Sequence, residues 1–277
     1  MKQCIFCKES LSAAGRAKEH ILPAWLQSEW GLTGAIYAPT HFSDKGAILS
    51  SRKHNLGSLL AGQVCENCNC GWMANLETRC KPLILELAGG KRRIIDLSDP
   101  EALLLARWTV KTAFVLHASS NYRMIVKPDH FKVLDQDEYR LPDNTVVVGH
   151  TYSRGKDFTW IQTTSAHIHL RGIKIAPQEL EIFKESAYKI ALKLGGLYLM
   201  VFHNPFPNMR TCLWQYRHIP LYPRWSHPVA WQKADKSWPS DPKKRFAAFI
   251  ISLGVCKDSS EQSVPEYAAQ GASSSEP

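Results

Sequence analysis

The chain is 277 residues long, 44% of its residues are hydrophobic, and its formal net charge is +9. No run approaches the roughly 18 consecutive apolar residues that a membrane-spanning helix needs. No apolar segment precedes Cys4, so we expect no secretory signal, and we expect no membrane partner. The scattered cysteines Cys70, Cys80, Cys212 and Cys256 suggest free thiols and favour a cytoplasmic protein. The excess of Lys and Arg suits a polyanionic partner, because neutralising phosphates releases their counterions.

Two Cys-x-x-Cys motifs stand far apart in the chain, and their cysteines are Cys4 and Cys7, then Cys65 and Cys68. Four cysteines in two such pairs form the tetrahedral thiolate site that zinc fills, with Zn–S bonds of about 2.3 Å. The free energy of metal binding then contributes to the folding of a small module. We therefore predict a structural zinc at these four residues, with the intervening polypeptide looping out and returning.

The segments around the cysteine pairs carry secondary-structure signals. We predict, in chain order, a strand ending at Glu19-His20, a helix over Ala24–Trp30, a strand over 56–64, and a helix from Asn69 to about Gly89. Pro23 is placed where a helix tolerates proline, and Gly31 is a typical helix stop. The N-terminal part is therefore predicted to be a small, mixed module built around the metal.

The strongest helix signal comes next. Ser98 and Glu101 are spaced as a capping box, and residues 103–116 are apolar on most faces, so this helix is predicted to be buried and to bridge two parts of the molecule. The later elements are predicted as strands over 145–148, 158–164 and 166–170, a short helix from Pro177, and a hairpin turning at Gly195-Gly196. From residue 257 the polar composition predicts a disordered tail.

The order of motifs around the cysteines has a known counterpart. Lys18-Glu19-His20-Ile21-Leu22-Pro23 lies between the two pairs, and Asn69-Cys70-Gly71-Trp72 follows the second pair directly. This order resembles the HNH (ββα-metal) endonucleases, in the subgroup that carries C-x-x-C, then E-H-x-x-P, then C-x-x-C-N-x-G-W. The resemblance covers roughly the first ninety residues of the chain and implies nothing direct about the rest.

The resemblance implies catalytic roles for three residues. His20 would be the general base that takes a proton from water, and Glu19 and Asn69 would hold a catalytic Mg²⁺ or Mn²⁺ ion. The residue types suit this chemistry, because a neutral imidazole accepts a proton near pH 7 and Mg²⁺ prefers oxygen ligands. Outside this context His20 would be an ordinary strand residue and Asn69 a helix cap. Met73 stands one turn after Asn69, where many relatives carry a further ligand.

Contacts with nucleic acid are predicted less specifically, because a run of charge is usually a solvated surface. The candidate phosphate contacts are six basic residues near the motifs: Lys18, Arg52, Lys53, Lys91, Arg92 and Arg93. DNA is the expected partner and RNA the alternative. The sequence leaves the oligomeric state open, a dimer included.

These observations predict an α+β protein in three parts. Residues 1–95 would form a zinc-stapled HNH nuclease module, residues 96–256 a bridging helix and an antiparallel α+β domain of unknown role, and residues 257–277 a disordered tail. The expected function is metal-dependent endonucleolytic hydrolysis of DNA phosphodiester bonds. The alternatives are a zinc-stapled nucleic-acid-binding protein without cleavage, an RNA-cleaving nuclease or toxin, and a protein-interaction scaffold. The sequence does not reveal cut-site specificity or whether one or both strands are cut.

Overall fold

The structure is a computed structural model that describes residues 2–12, 15–42, 48–120, 125–152, 155–164, 169–171, 176–206, 210–213, 218–223, 229–231, 241–251 and 253–256. The tail over 257–277, which the sequence predicts to be disordered, lies outside the described residues. The described part combines helices with several small sheets and a larger antiparallel sheet in the C-terminal half.

The helices of the described residues are α1 Ala24–Trp30, α2 Glu66–Cys68, α3 Ala74–Ala88, α4 Asp99–Ser119, α5 Pro128–Gln136, α6 Pro177–Ser186 and α7 Pro242–Ile251. A π-helical segment, Asn69–Met73, joins α2 to α3, and the backbone at Gly71 leaves helical geometry there (φ −88°, ψ −112°). The predicted bounds of α1 are confirmed. Gly31 ends it in the left-handed region at φ 68°, which a side chain would disfavour.

The strands are β1 Glu19–His20, β2 Ile36–Tyr37, β3 Thr40–Phe42, β4 Ile48–Ser51, β5 His54–Asn55, β6 Leu60–Ala61, β7 Thr145–Thr151, β8 Phe158–Thr164, β9 His169–Arg171, β10 Tyr188–Leu194, β11 Leu197–His203, β12 Arg210–Leu213, β13 Ile219–Tyr222, β14 Val229–Trp231 and β15 Leu253–Cys256. In the N-terminal part they form three antiparallel pairs, β1 with β6, β2 with β5, and β3 with β4.

The main sheet has the order β13-β7-β11-β10-β8, and all its neighbouring strands are antiparallel. The antiparallel sheet predicted for the C-terminal half is thus confirmed, and its β10–β11 hairpin turns at Gly195, where φ is 57°. A second sheet, β14-β12-β15-β9, differs from the prediction because its β12–β14 and β15–β9 pairs are parallel.

Both faces of the main sheet are buried. In β11, Leu197, Leu199 and Val201 belong to the core that α4 shares, whereas Tyr198 and Phe202 belong to a second cluster with residues of α6 and α7. Alternate residues of a strand point to opposite faces, so the sheet separates two apolar layers. This explains why β11 is a continuous apolar run from Leu197 to Phe202.

Helix α4 lies between the N-terminal part and the main sheet. It packs against α3 and β6 on one side and against α5 and strands β7, β10, β11 and β13 on the other. The predicted capping box is present, with the Glu101 carboxylate accepting hydrogen bonds from the backbone N–H (2.9 Å) and hydroxyl (2.7 Å) of Ser98. The prediction of a buried bridging helix is confirmed, since one apolar cluster runs from Cys4 through Phe114 to Leu199.

The segment over 56–64 is not the single strand that the sequence predicts. It begins with a 3₁₀ turn, Leu56–Ser58, and only Leu60–Ala61 pairs as a strand. The reason is local, because the Asn55 side-chain oxygen accepts the Gly57 N–H at 2.9 Å and closes a turn. The shortened strand still reaches β1, so it places Glu19 and His20 opposite Ala61 and Leu60.

Candidate functional site

The four cysteines of the two motifs converge. The Sγ atoms of Cys4 and Cys68 are 3.9 Å apart, those of Cys7 and Cys65 are 3.5 Å apart, and all four lie within 4.8 Å of one another. A tetrahedron with Zn–S bonds of about 2.3 Å has edges of roughly 3.8 Å, so the observed spacing fits a thiolate-bound zinc. The structure therefore has a four-cysteine cluster that can hold a structural metal, as predicted.

Backbone groups position these sulfurs. The Cys4 Sγ accepts the Cys65 N–H, and the Cys65 Sγ accepts the Cys68 N–H, both at 3.4 Å. The side-chain hydrogen bond between Cys4 and Cys68 lowers the pKa of Cys4 to about 4, while burial raises the pKa of Cys7 to about 12. One sulfur is thus readily ionised and another holds its proton, so metal binding releases protons.

The cysteine cluster is packed into the rest of the protein. Phe6, between the first two cysteines, makes edge-on ring contacts with Trp72 at 5.2 Å and with Phe131 of α5 at 5.8 Å. The Cys68 Sγ lies 3.6 Å from Oδ1 of Asp135, also on α5. The Arg107 guanidinium of α4 sits 5.5 Å from the centre of the Trp72 ring. The cluster therefore anchors helices α4 and α5 as well as its own loops.

Glu19 and His20 are the two consecutive residues of β1, and both are half-buried. Their backbone is fixed by β6 on one side and by the link between Ala17 N–H and the Val64 carbonyl (3.0 Å) next to the second cysteine pair. The Nδ1 atom of His20 is buried and makes no hydrogen bond to any described residue. An imidazole nitrogen without a protein partner keeps its hydrogen-bonding capacity for another group.

Glu19 is paired with a buried lysine that the sequence reasoning missed. The Lys111 Nζ atom of α4 lies 3.2 Å from Oε1 of Glu19 and also donates to Oε1 of Glu77 on α3. Lys111 is 1% exposed, and the two glutamates are 14% and 15% exposed. Burial acts to lower the pKa of Lys111, but the carboxylates of Glu77 and Glu19 outweigh it and raise that pKa.

A signal for this network was present in the sequence. Lys111 interrupts the apolar run over 103–116, and a lysine in the middle of a buried helix requires a negatively charged partner. Glu77 is the anchor of the group, because it also accepts hydrogen bonds from the indole N–H groups of Trp25 and Trp108, the latter at 3.1 Å. Which carboxylates would meet Lys111 depends on how α4 packs, and this the sequence did not reveal.

Asn69 begins the π-helical segment directly after Cys68 and is half-buried. Its backbone N–H donates to the Cys65 carbonyl at 3.0 Å. Within the described part of the chain its side-chain amide makes no hydrogen bond, and none links it to Glu19 or His20. Oε2 of Glu19 is likewise without a hydrogen bond among the described residues. Both groups thus keep oxygens available for a hard cation such as Mg²⁺.

The six candidate phosphate contacts differ in how they are engaged. Arg92 makes two hydrogen bonds of 2.7 Å to the Glu101 carboxylate, and Arg93 binds Asp96 at 2.7 and 2.9 Å. The others are exposed and form no ion pair with any described residue: Lys18, Arg52, Lys53 and Lys91. Arg92 and Arg93 are therefore partly neutralised within the protein, whereas the charges of the other four face solvent unpaired.

Comparisons of the chain with protein-family models, with curated proteins and with solved structures gave no match. Among the helices of the described residues, none has both the length and the apolar character to cross a bilayer.

Proposed function

We propose that this chain is a metal-dependent endonuclease of the HNH type that hydrolyses DNA phosphodiester bonds, with a structural zinc at the four-cysteine cluster. The observation that carries the proposal is the buried Nδ1 of His20, which makes no hydrogen bond to any described residue and belongs to the residue that follows Glu19 on β1. A general base needs a free lone pair that faces the attacking water. The β1–β6 pair fixes the backbone of both residues, and metal-assisted hydrolysis would use the imidazole as the base and the carboxylate as a ligand.

In this proposal each residue has one task. His20 accepts the proton of the attacking water, while Glu19 and Asn69 supply carboxylate and amide oxygens to a Mg²⁺ or Mn²⁺ ion. When bound, such an ion neutralises charge on the scissile phosphate and on the departing oxygen. Exposed Lys18, Arg52, Lys53 and Lys91 would contact phosphates along the strand, and Arg92 and Arg93 less, because their charges are already paired.

The test separates cleavage from binding. We expect His20→Ala to lower metal-dependent nicking of a supercoiled plasmid by at least about a hundredfold, since a positioned general base contributes 10²–10⁴-fold. DNA affinity measured by gel shift and the zinc content should stay at parent levels. The matched control is His54→Ala, which removes an exposed histidine from β5 of the same module. Parent-like nicking by His20→Ala would show that His20 is not the base.

A second candidate is a zinc-stapled nucleic-acid-binding protein that does not cleave. The ion pair between Lys111 and Glu19 favours it, because an ammonium group already neutralises the carboxylate that would hold the metal. In the same assay this candidate predicts salt-dependent binding of DNA or RNA by the parent protein without cleavage in Mg²⁺ or Mn²⁺. Parallel RNA and DNA substrates would identify an RNA-cleaving enzyme instead.

A further inference from the structure

Glu19 of the proposed site belongs to a buried group of three charges, which also includes Lys111 and Glu77. One ammonium between two carboxylates leaves a formal charge of −1. The group is nearly closed to solvent, with Lys111 at 1% exposure, so each charge acts on its neighbours with little screening by water.

The two carboxylates differ in how many donors they accept. Both oxygens of Glu77 are engaged, Oε1 by Trp108 and Lys111 and Oε2 by Trp25. A carboxylate held by three donors has no oxygen to give to a metal without leaving a buried donor unsatisfied. Glu77 is therefore an anchor for Lys111 and not a metal ligand.

Glu19 is held by one donor only. Lys111 contacts its Oε1 at 3.2 Å, and its Oε2 has no hydrogen bond with any described residue. A carboxylate fixed at one oxygen presents the other in a defined direction. The ammonium that fixes it also lies within a few ångströms of any cation on the second oxygen, and it repels that cation.

We infer that Lys111, anchored by Glu77, is a positioning residue that presents Oε2 of Glu19 to the catalytic ion and weakens the binding of that ion. The inference rests on the proposed function and adds control of the metal affinity to it. The charges of Lys111 and Glu77 would therefore set the affinity for the ion, although neither residue touches the ion.

Two variants are expected to shift the Mn²⁺ affinity in opposite directions. Glu77→Gln removes the remote negative charge and leaves the ammonium of Lys111, so Mn²⁺ binding should weaken by about tenfold. Lys111→Met combined with Glu77→Gln removes both charges and keeps the net charge of −1, so Mn²⁺ should bind about tenfold more tightly than in the parent. A purely structural role predicts instead that both variants lose affinity, because Glu19 would be misplaced in both.

The experiment measures free Mn²⁺ by electron paramagnetic resonance during titration of the full-length, zinc-loaded protein without DNA. Glu19→Gln serves as the reference for loss of the site. We expect the double variant to bind Mn²⁺ most tightly, the parent less tightly, and Glu77→Gln most weakly. Equal affinities, or weaker binding by both variants, would overturn the inference. Zinc content and the melting temperature show whether each variant is folded. If the double variant does not fold, an unchanged Mn²⁺ affinity in Glu77→Gln alone still overturns the inference.

The same titration distinguishes this inference from the proposed function. If the parent binds no Mn²⁺, or if Glu19→Gln leaves its Mn²⁺ binding unchanged, Glu19 is not a metal ligand. The inference then falls together with that part of the proposal. If the parent binds Mn²⁺ through Glu19 and cleaves DNA but the variants keep the parent affinity, the proposed function stands and only the role of Lys111 is wrong.

Discussion

At the scale of single residues, the cysteines make the most direct prediction. Cys65→Ser should abolish the stoichiometric zinc seen by elemental analysis and lower the melting temperature by about 10 °C or more, because zinc binding contributes directly to folding. Cys70→Ser is the matched control, since Cys70 is exposed and lies two residues from Cys68 outside the cluster. Zinc retained in Cys65→Ser at parent stoichiometry would mean that the cluster does not hold the metal.

The residue scale also marks the limit of what the sequence could predict about the site. The spacing of Cys4, Cys7, Cys65 and Cys68 was enough to predict their convergence, because two Cys-x-x-Cys pairs have one common structural use. The pairing of Glu19 with Lys111 was not predictable, since 92 positions separate the two residues. That contact depends on the packing of a long helix against a two-residue strand.

At the scale of elements, the first turn of α4 gives a prediction with a defined pH dependence. The hydrogen bonds from Arg92 and Ser98 lower the pKa of Glu101 from 4.5 to about 2. A carboxyl whose pKa is depressed by folding stabilises the protein above its unfolded pKa, and this stabilisation is lost as the pH falls towards the folded pKa.

We therefore expect Glu101→Gln to lower the free energy of unfolding by about 1 kcal/mol at pH 7, a modest value because the carboxylate is partly exposed. The difference from the parent should shrink steadily below pH 4.5. Urea unfolding of both proteins between pH 7 and pH 3 measures it. Glu138→Gln, which removes an exposed partner of Arg79, is the control and should change stability by less than about 0.5 kcal/mol. A difference independent of pH would contradict the assignment.

Elements governed by local rules were predictable and those governed by long-range pairing were not. The bounds of α1, the cap at Ser98 and the turn at Gly195 follow from the residues that form them. The 3₁₀ turn after Asn55 was missed because one side-chain hydrogen bond decides it. The parallel pairs of the second sheet join strands that do not follow one another along the chain, and strand composition carries no information on that choice.

At the scale of the whole molecule, the net charge of +9 predicts that nucleic-acid binding depends strongly on salt. Arg52→Ala combined with Lys53→Ala should reduce the slope of log affinity against log salt by about 2, because each phosphate contact to duplex DNA contributes about 0.9. Arg93→Ala should change the slope by less than about 0.9, since Asp96 already pairs with that charge. Fluorescence anisotropy titrations of DNA at salt concentrations from about 50 to about 200 mM measure this slope. An unchanged slope in the double variant would exclude these two residues from the contact surface.

The position of Lys111 on α4 also bears on whether the proposed nuclease motif can be moved into another protein. A graft that ends at residue 95 would carry Glu19 and Glu77 without their cation and would uncover the apolar side of α3. Two largely buried carboxylates without their cation repel each other, so such a fragment would be destabilised. Any transplanted piece must therefore include at least the long helix α4, Asp99–Ser119, together with the motif.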